Sequence, residues 1–137
     1  MLKETGSDRV LPVVVGPFEA SAIIIEMEGM HPPRPLTHDL LAEFFTLHGF
    51  TMTGLYICCV LEDSFAAGIR YRKGFRRYEQ EIRPSDGIAL ALRLRAPIYA
   101  TEEVLSSGIG NRFFLEHSDP ESAEYLYLGT LQRMSAM

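Results

Sequence analysis

The sequence predicts an α+β domain in which helices pack on an antiparallel sheet. The run from Thr51 to Ile82 is rich in β-branched and aromatic residues and is cut by short turns at Glu62-Asp63-Ser64 and Lys73-Gly74, as in a meander. Apolar stretches of helical length lie on both sides of that run, and each begins just after a proline or a capping residue. At 137 residues the chain fits one domain with a substantial core.

Taken in order, Leu2-Lys3-Glu4, the turn Gly6-Ser7-Asp8 and Val10 to Val15 predict a hairpin with a buried second strand. Gly16-Pro17 ends it, and Phe18 to Glu28 reads as an apolar helix stopped by Gly29. His31-Pro32-Pro33-Arg34-Pro35 cannot be helical, because its prolines lack donors and restrict their predecessors, so it is an extended connector. Thr37 is placed to cap a helix with the stripe Leu40, Leu41, Phe44, Phe45 and Leu47, ending at Gly49. After the meander, Ile88 to Arg95 alternates large and small residues and could pass for a strand. Ser85 as N-cap, Asp86 in the first turn and the strong helix formers Ala, Leu and Arg favour a helix. Pro97 to Ala100 then forms a short strand, and Thr101 caps a brief helix ending at Gly108. In the tail, Asp119-Pro120 starts a final helix running to about Met134, with Leu128, Leu131 and Met134 on one face as a candidate dimer contact.

Two segments echo one another. Pro17 to Ile24 and Pro84 to Ala91 each follow a β-rich run and carry an acid two places after the proline, then an apolar helix. Pro35 to Leu41 and Pro97 to Leu105 extend the likeness, so an internally duplicated strand–helix–Pro–helix unit is expected. The hydrophobic share of 47% and net charge of −5 are those of a soluble globular protein without general nucleic-acid affinity. No apolar run reaches the roughly 20 residues that span a membrane, and Met1 to Glu4 lacks a signal-peptide layout, so a cytoplasmic protein is expected. The adjacent Cys58 and Cys59 are expected as reduced, core-filling thiols on opposite faces of a strand.

The reactive side chains fall into four blocks: Glu19; Arg34 with Thr37, His38 and Asp39; Arg83 with Ser85 and Asp86; and Glu102-Glu103. Every acid lies in the first turn of a predicted helix, where it stabilises the helix dipole, and Thr37 and Ser85 serve as caps. A structural role accounts for each residue taken alone. If several helix starts converge, their amides favour phosphate, Arg34 and Arg83 bind its oxygens together with Thr37 and Ser85, and Glu19, Asp39 and Asp86 hold a divalent cation, Mg²⁺ or Mn²⁺. His38, beside Asp39, would then serve as general acid or base or as a ligand. Separately, Arg70, Arg72, Lys73, Arg76 and Arg77 crowd one hairpin, interleaved with Tyr71, Phe75 and Tyr78. That pattern suits contact with single-stranded nucleic acid, and it suits still better a charged tip that blunts an edge strand.

Four segments carry a resemblance: Leu11 to Ala20, Arg34 to Leu41, Arg83 to Leu92 and Ala96 to Tyr99. In order and spacing they resemble the bifunctional nuclease family, also known as a domain of unknown function, over roughly Val10 to Gly108. The resemblance implies a compact α+β fold over residues 1–110, with 111–137 as a C-terminal extension. It also implies cleavage of RNA and DNA, the activity described for plant members, but it brings no settled catalytic set. Members of the family usually have a further strand before the segment matching Leu2-Lys3-Glu4, and usually Ala where this chain has Gly87. The UVR-like segment that follows the domain in plant members has no counterpart here. Two readings stand: a cytoplasmic, metal-dependent nuclease, or a non-enzymatic, homo-oligomeric module that binds a ligand or partner. In the second, the acids and caps only secure the turns.

Overall fold

A computed structural model describes residues 1–108 and 128–133. The meander supplies three long antiparallel strands, β3 (Thr51–Val60), β4 (Phe65–Lys73) and β5 (Arg76–Ile82). Beside β3 lie β6 (Ile98–Ala100), β7 (Leu128–Arg133), β1 (Leu2–Glu4) and β2 (Val10–Leu11), giving a seven-stranded sheet in the order β2-β1-β7-β6-β3-β4-β5. The α+β class holds, but the sheet is mixed: β6 pairs parallel with both β3 and β7, and β7 pairs parallel with β1.

Helix α3 (Pro84–Leu94) carries the chain from β5 back across β4 and β3 to β6. It lies between the sheet and the flanking helices α1 (Pro17–Met27) and α2 (Thr37–Leu47). This position explains its Ala/Leu texture. Ile88, Ala89, Leu90 and Ala91 are successive residues pointing in every direction, and all are buried. The small alanines admit close neighbours, while each large side chain stabilises by about 1.5–3 kcal/mol when buried. Gly87 belongs to the same packing, because a methyl group there would overlap the buried Leu55 side chain. Glycine at that place is therefore a matter of close approach to β3. On the far side of β6, the short α4 (Glu102–Ser106) has the expected cap, with Thr101 Oγ1 accepting from the Val104 amide at 3.4 Å.

Several expectations change. The strand predicted over Val10 to Val15 lasts only Val10–Leu11, since Pro12 has no donor for the ladder. The predicted final helix is a strand over Leu128–Arg133; residues 109–127 and 134–137, with the start of that helix, lie outside the described residues. A helix would have left the facing edges of β1 and β6 unpaired, whereas β7 satisfies the backbone groups of both. The expected dimer contact rested on that helix, and this part of it lies inside the sheet. Of the α2 stripe only Phe45 is buried, and Leu40, Phe44 and Leu47 are exposed. The cysteines do not alternate into the core either. A bulge pairs Ile57 with Ala67 and Cys59 with Ala66, skipping Cys58, and brings the two Sγ atoms to 3.3 Å with Cys59 exposed.

The two echoing segments do start alike. Pro17 and Pro84 both open helices of 11 residues, with Glu19 and Asp86 at the third position of each. Beyond the helices they diverge, because β6 intervenes before α4 while the connector leads directly into α2.

Candidate functional site

Neither Ser85 nor Thr37 is an N-cap. Arg83 caps α3 from the backbone, with Pro84 at the first helical position, where its missing N–H costs nothing, and Ser85 buried in the second. Leu36 precedes α2, and the Asp39 carboxylate reaches back to accept from the Leu36 amide at 2.8 Å. The first turns of α1, α2 and α3 meet along one edge of the helical layer, and their side chains line a cavity of about 680 Å³. Its polar members include Glu19, His38, Arg83 and Asp86, and its apolar wall includes Ala22, Ile25 and Leu41. Phe18, one residue before Glu19, stands at the rim with 86% of its surface exposed.

Arg83 organises the polar end. Its Nε donates to Asp86 Oδ2 at 2.6 Å and an NH2 group donates to Glu19 Oε1 at 2.9 Å, so one guanidinium joins the starts of α1 and α3. The side chain is 68% exposed, which keeps its contribution to stability small and leaves it accessible from outside. Asp86 Oδ1 lies 3.0 Å from His38 Nε2. Burial alone would raise the Asp86 carboxyl, but the hydrogen bonds and charges of Arg83 and His38 outweigh it and hold the group below the usual carboxylate range. An ionised carboxylate only accepts, so Nε2 carries the hydrogen and the neutral ring has its lone pair on Nδ1. Gly16 leaves room for the Glu19 carboxylate, which would have to shift if a Cβ stood at that glycine.

Asp39 does not join this group. It accepts from Arg93 Nε at 2.6 Å, and Arg93 lies seven residues beyond Asp86, about 10 Å further along α3. The Arg93 side chain is 4% exposed and also donates to Ala89 O at 2.9 Å and Ala22 O at 3.0 Å. Among the described residues, no three His, Cys, Asp or Glu side chains converge as metal ligands. Arg34 is exposed at a neighbouring, shallower cavity that shares Leu36 and Thr37 with the larger one, and it has no ion-pair partner among the described residues. Glu102 belongs to a separate linkage through Arg9, at 2.6 Å, which also holds the buried Glu4.

The basic hairpin starts at the opposite end of β5, about 20 Å from Arg83. Arg70 pairs with Glu79 at 3.1 Å and lies over Tyr56, and Lys73 lies over Phe50. Arg72, Arg76 and Arg77 are exposed. Tyr71 and Tyr78 stack on one another and pack against Phe50, so their faces are occupied, while Phe75 at the tip is fully exposed.

Sequence reasoning missed Phe18, Gly16 and Arg93 as parts of this arrangement. Only Arg93 had a usable signal. An arginine in an otherwise Ala/Leu helix calls for a buried anion if the helix is central, although nothing in the sequence says which acid supplies it.

The Asp39–Arg93 pair supports a prediction about stability. Burial alone would raise the Asp39 carboxyl, but the Leu36 amide and Arg93 outweigh it, so its folded pKa lies below its unfolded one. The stabilisation is therefore complete above about pH 4 and is lost as pH falls through the lower folded value. Asp39→Asn should destabilise the protein by about 3–5 kcal/mol at pH 7 in denaturant unfolding, because Arg93 is left buried without its anion. The variant should also lose less stability than the wild type below pH 4. Equal stability at pH 7, or an unchanged acid limb, would contradict this assignment.

Comparison with known proteins bears on the whole arrangement. The bifunctional nuclease domain matches residues 1–109. An uncharacterized protein of Mycobacterium tuberculosis (strain H37Rv) is 40% identical over 106 residues, which are 77% of this chain and 63% of that protein. Bifunctional nuclease 1 of Oryza sativa subsp. japonica is 23% identical over 104 residues, 74% of this chain and 31% of the rice protein. Bifunctional nuclease 2 of the same plant is 24% identical over 98 residues, 69% of this chain and 30% of its own length. The chain thus spans about 63% of the mycobacterial relative and under a third of the rice ones. With the match running through β1 to α4 and through every residue of the Arg83 cluster, the chain belongs to the bifunctional nuclease domain family.

Proposed function

We propose that the protein hydrolyses phosphodiester bonds in single-stranded RNA or DNA at the cluster of Glu19, His38, Arg83 and Asp86. The observation that carries this reading is the His38–Asp86 pair beside an exposed arginine, in a cavity large enough for a nucleotide. The names of the rice relatives, bifunctional nucleases, support it.

A substrate phosphate enters at Arg83, whose guanidinium exchanges its carboxylate partners for phosphate oxygens. Asp86 holds the His38 ring with Nδ1 as its basic atom. Water attacks phosphorus and gives a proton to Nδ1, the P–O bond to the leaving oxygen breaks, and the imidazolium returns a proton to that oxygen. A base flanking the phosphate lies against Phe18, whose exposed ring offers a stacking face. A base inside a duplex cannot use that face, which favours single strands. The proposal includes a divalent cation. Once Arg83 has moved onto phosphate, Glu19 and Asp86 present hard oxygen donors, and the ion would neutralise phosphate charge there. Asp39, committed to Arg93, is not in that set.

The hairpin contributes binding along the strand. Arg72 faces Arg77 and Lys73 faces Arg76 directly across β4 and β5, and such like-charge pairs destabilise a sheet until an anion lies over them. Changing Arg72, Arg76 and Arg77 to Glu should weaken single-strand binding and flatten its dependence on log salt by about 0.7 per lost phosphate contact. An unchanged slope would remove the hairpin from the interface.

One observation favours the second reading, a ligand-binding module without catalysis: Glu19, Asp39 and Asp86 are each already engaged by arginine or a backbone amide. The two are separated by assaying purified protein on labelled single-stranded RNA and DNA with Mg²⁺, with Mn²⁺ and with EDTA, beside a folded His38→Ala variant. The nuclease reading expects cleavage that follows the protein peak, requires metal and falls by about 10²–10⁴-fold in the variant. No cleavage under any condition, or cleavage unaffected by the variant, would rule it out.

A further inference from the structure

We infer that a second cavity, on the other side of Arg83, is a nucleoside subsite, so that the site takes one nucleoside on each flank of the phosphate it acts on. This rests on the nuclease reading and specifies its substrate as an internal phosphodiester of at least a dinucleotide.

The cavity measures about 590 Å³ and lies between the segment leading into α1, the β3–β4 turn and the end of β5. Both it and the larger cavity are lined by Ile82 and Arg83, so the two meet at that arginine. The short second strand creates the space. Because β2 stops at Leu11, residues 12–16 run as irregular chain along one wall instead of pairing in the sheet.

The lining selects the chemistry of the occupant. Val13, Val14 and Phe65 supply apolar surface, Asp63 and Glu81 supply carboxylates, and Arg83 at the shared boundary is the single cationic member among the described residues. Carboxylates repel a second phosphate, which leaves this cavity to an uncharged group joined to a phosphate on Arg83. A nucleoside fits in size, presents apolar faces and offers amino and hydroxyl donors that carboxylates accept. At its other end the larger cavity adjoins the surface of Arg34 through Leu36 and Thr37. The order along the surface is thus arginine, cavity, arginine, cavity, which matches the alternation of phosphate and nucleoside in a single strand.

The test uses the full chain, a dinucleoside monophosphate and a mononucleotide methyl ester, the latter able to fill only one cavity. Two variants, Val14→Trp and Ser64→Trp, block the second cavity from exposed positions on different walls, with folding checked by thermal unfolding. Wild-type kcat/KM is expected to be at least about tenfold higher for the dinucleotide, a difference of about 1.4 kcal/mol. Both variants should lose that advantage and retain methyl-ester hydrolysis within about twofold. Equal wild-type rates on the two substrates, or a dinucleotide advantage that survives both variants, would overturn the subsite. If neither substrate is cleaved, the nuclease reading fails separately, and equilibrium binding of phosphorothioate forms of both decides the subsite. Tighter dinucleotide binding that is lost in the variants upholds it, and equal affinities overturn it.

Discussion

One buried guanidinium holds the helical layer together. Arg93 is almost wholly enclosed within α3, and its acceptors come from three helices: the Asp39 carboxylate of α2, Ala22 O of α1 and Ala89 O of α3 itself. An unpaired charge at such a depth is costly, so the three helices cannot separate without exposing or stranding it. Their relative positions follow from that requirement, and so does the meeting of their first turns at Arg83. Arg83 at the N-cap of α3 and Arg93 within the helix divide the work by exposure. Arg93 is enclosed and structural, whereas Arg83 is open to solvent and accessible from outside.

This division resolves the ambiguity of acids at helix N-termini. Glu19, Asp39 and Asp86 occupy the same third position of their helices, and local dipole arguments treat them alike. Their partners separate them. Asp39 spends both oxygens on an amide and a buried arginine, which makes it part of the frame. Glu19 and Asp86 share an exposed guanidinium, and Asp86 also holds His38. In the proposed reading, an incoming phosphate replaces these protein carboxylates on the exposed arginine.

Much of the fold was legible because its signals are local. Turn residues delimited the meander, and the prolines and helix formers placed α1, α2 and α3 to within a residue or two, although neither Ser85 nor Thr37 is the cap. What local reasoning could not supply depended on partners distant in sequence. Leu128–Arg133 became a strand because β1 and β6 needed pairing, and nothing within the segment records that need. Leu40, Phe44 and Leu47 read as a core stripe, yet the contacts of α2 run through Phe45 and the first turn. For the site, the blocks around Glu19, His38, Arg83 and Asp86 were visible as motifs, and their meeting follows from three converging helix starts. The split between Asp39 and the other acids was hidden because it depends on which arginine each one meets.

The central claim is that Arg83 leaves its carboxylates for the phosphate of a single strand. The most direct measurement is the affinity of wild-type protein and Arg83→Gln for a short single-stranded oligodeoxynucleotide in EDTA, where metal-dependent cleavage is suppressed. The account predicts binding at least about tenfold weaker in the variant, since a charge-assisted contact to phosphate is lost while the neighbouring fold is unchanged. Equal affinity in the two proteins would show that the strand does not meet this arginine, and the account of the site would be wrong.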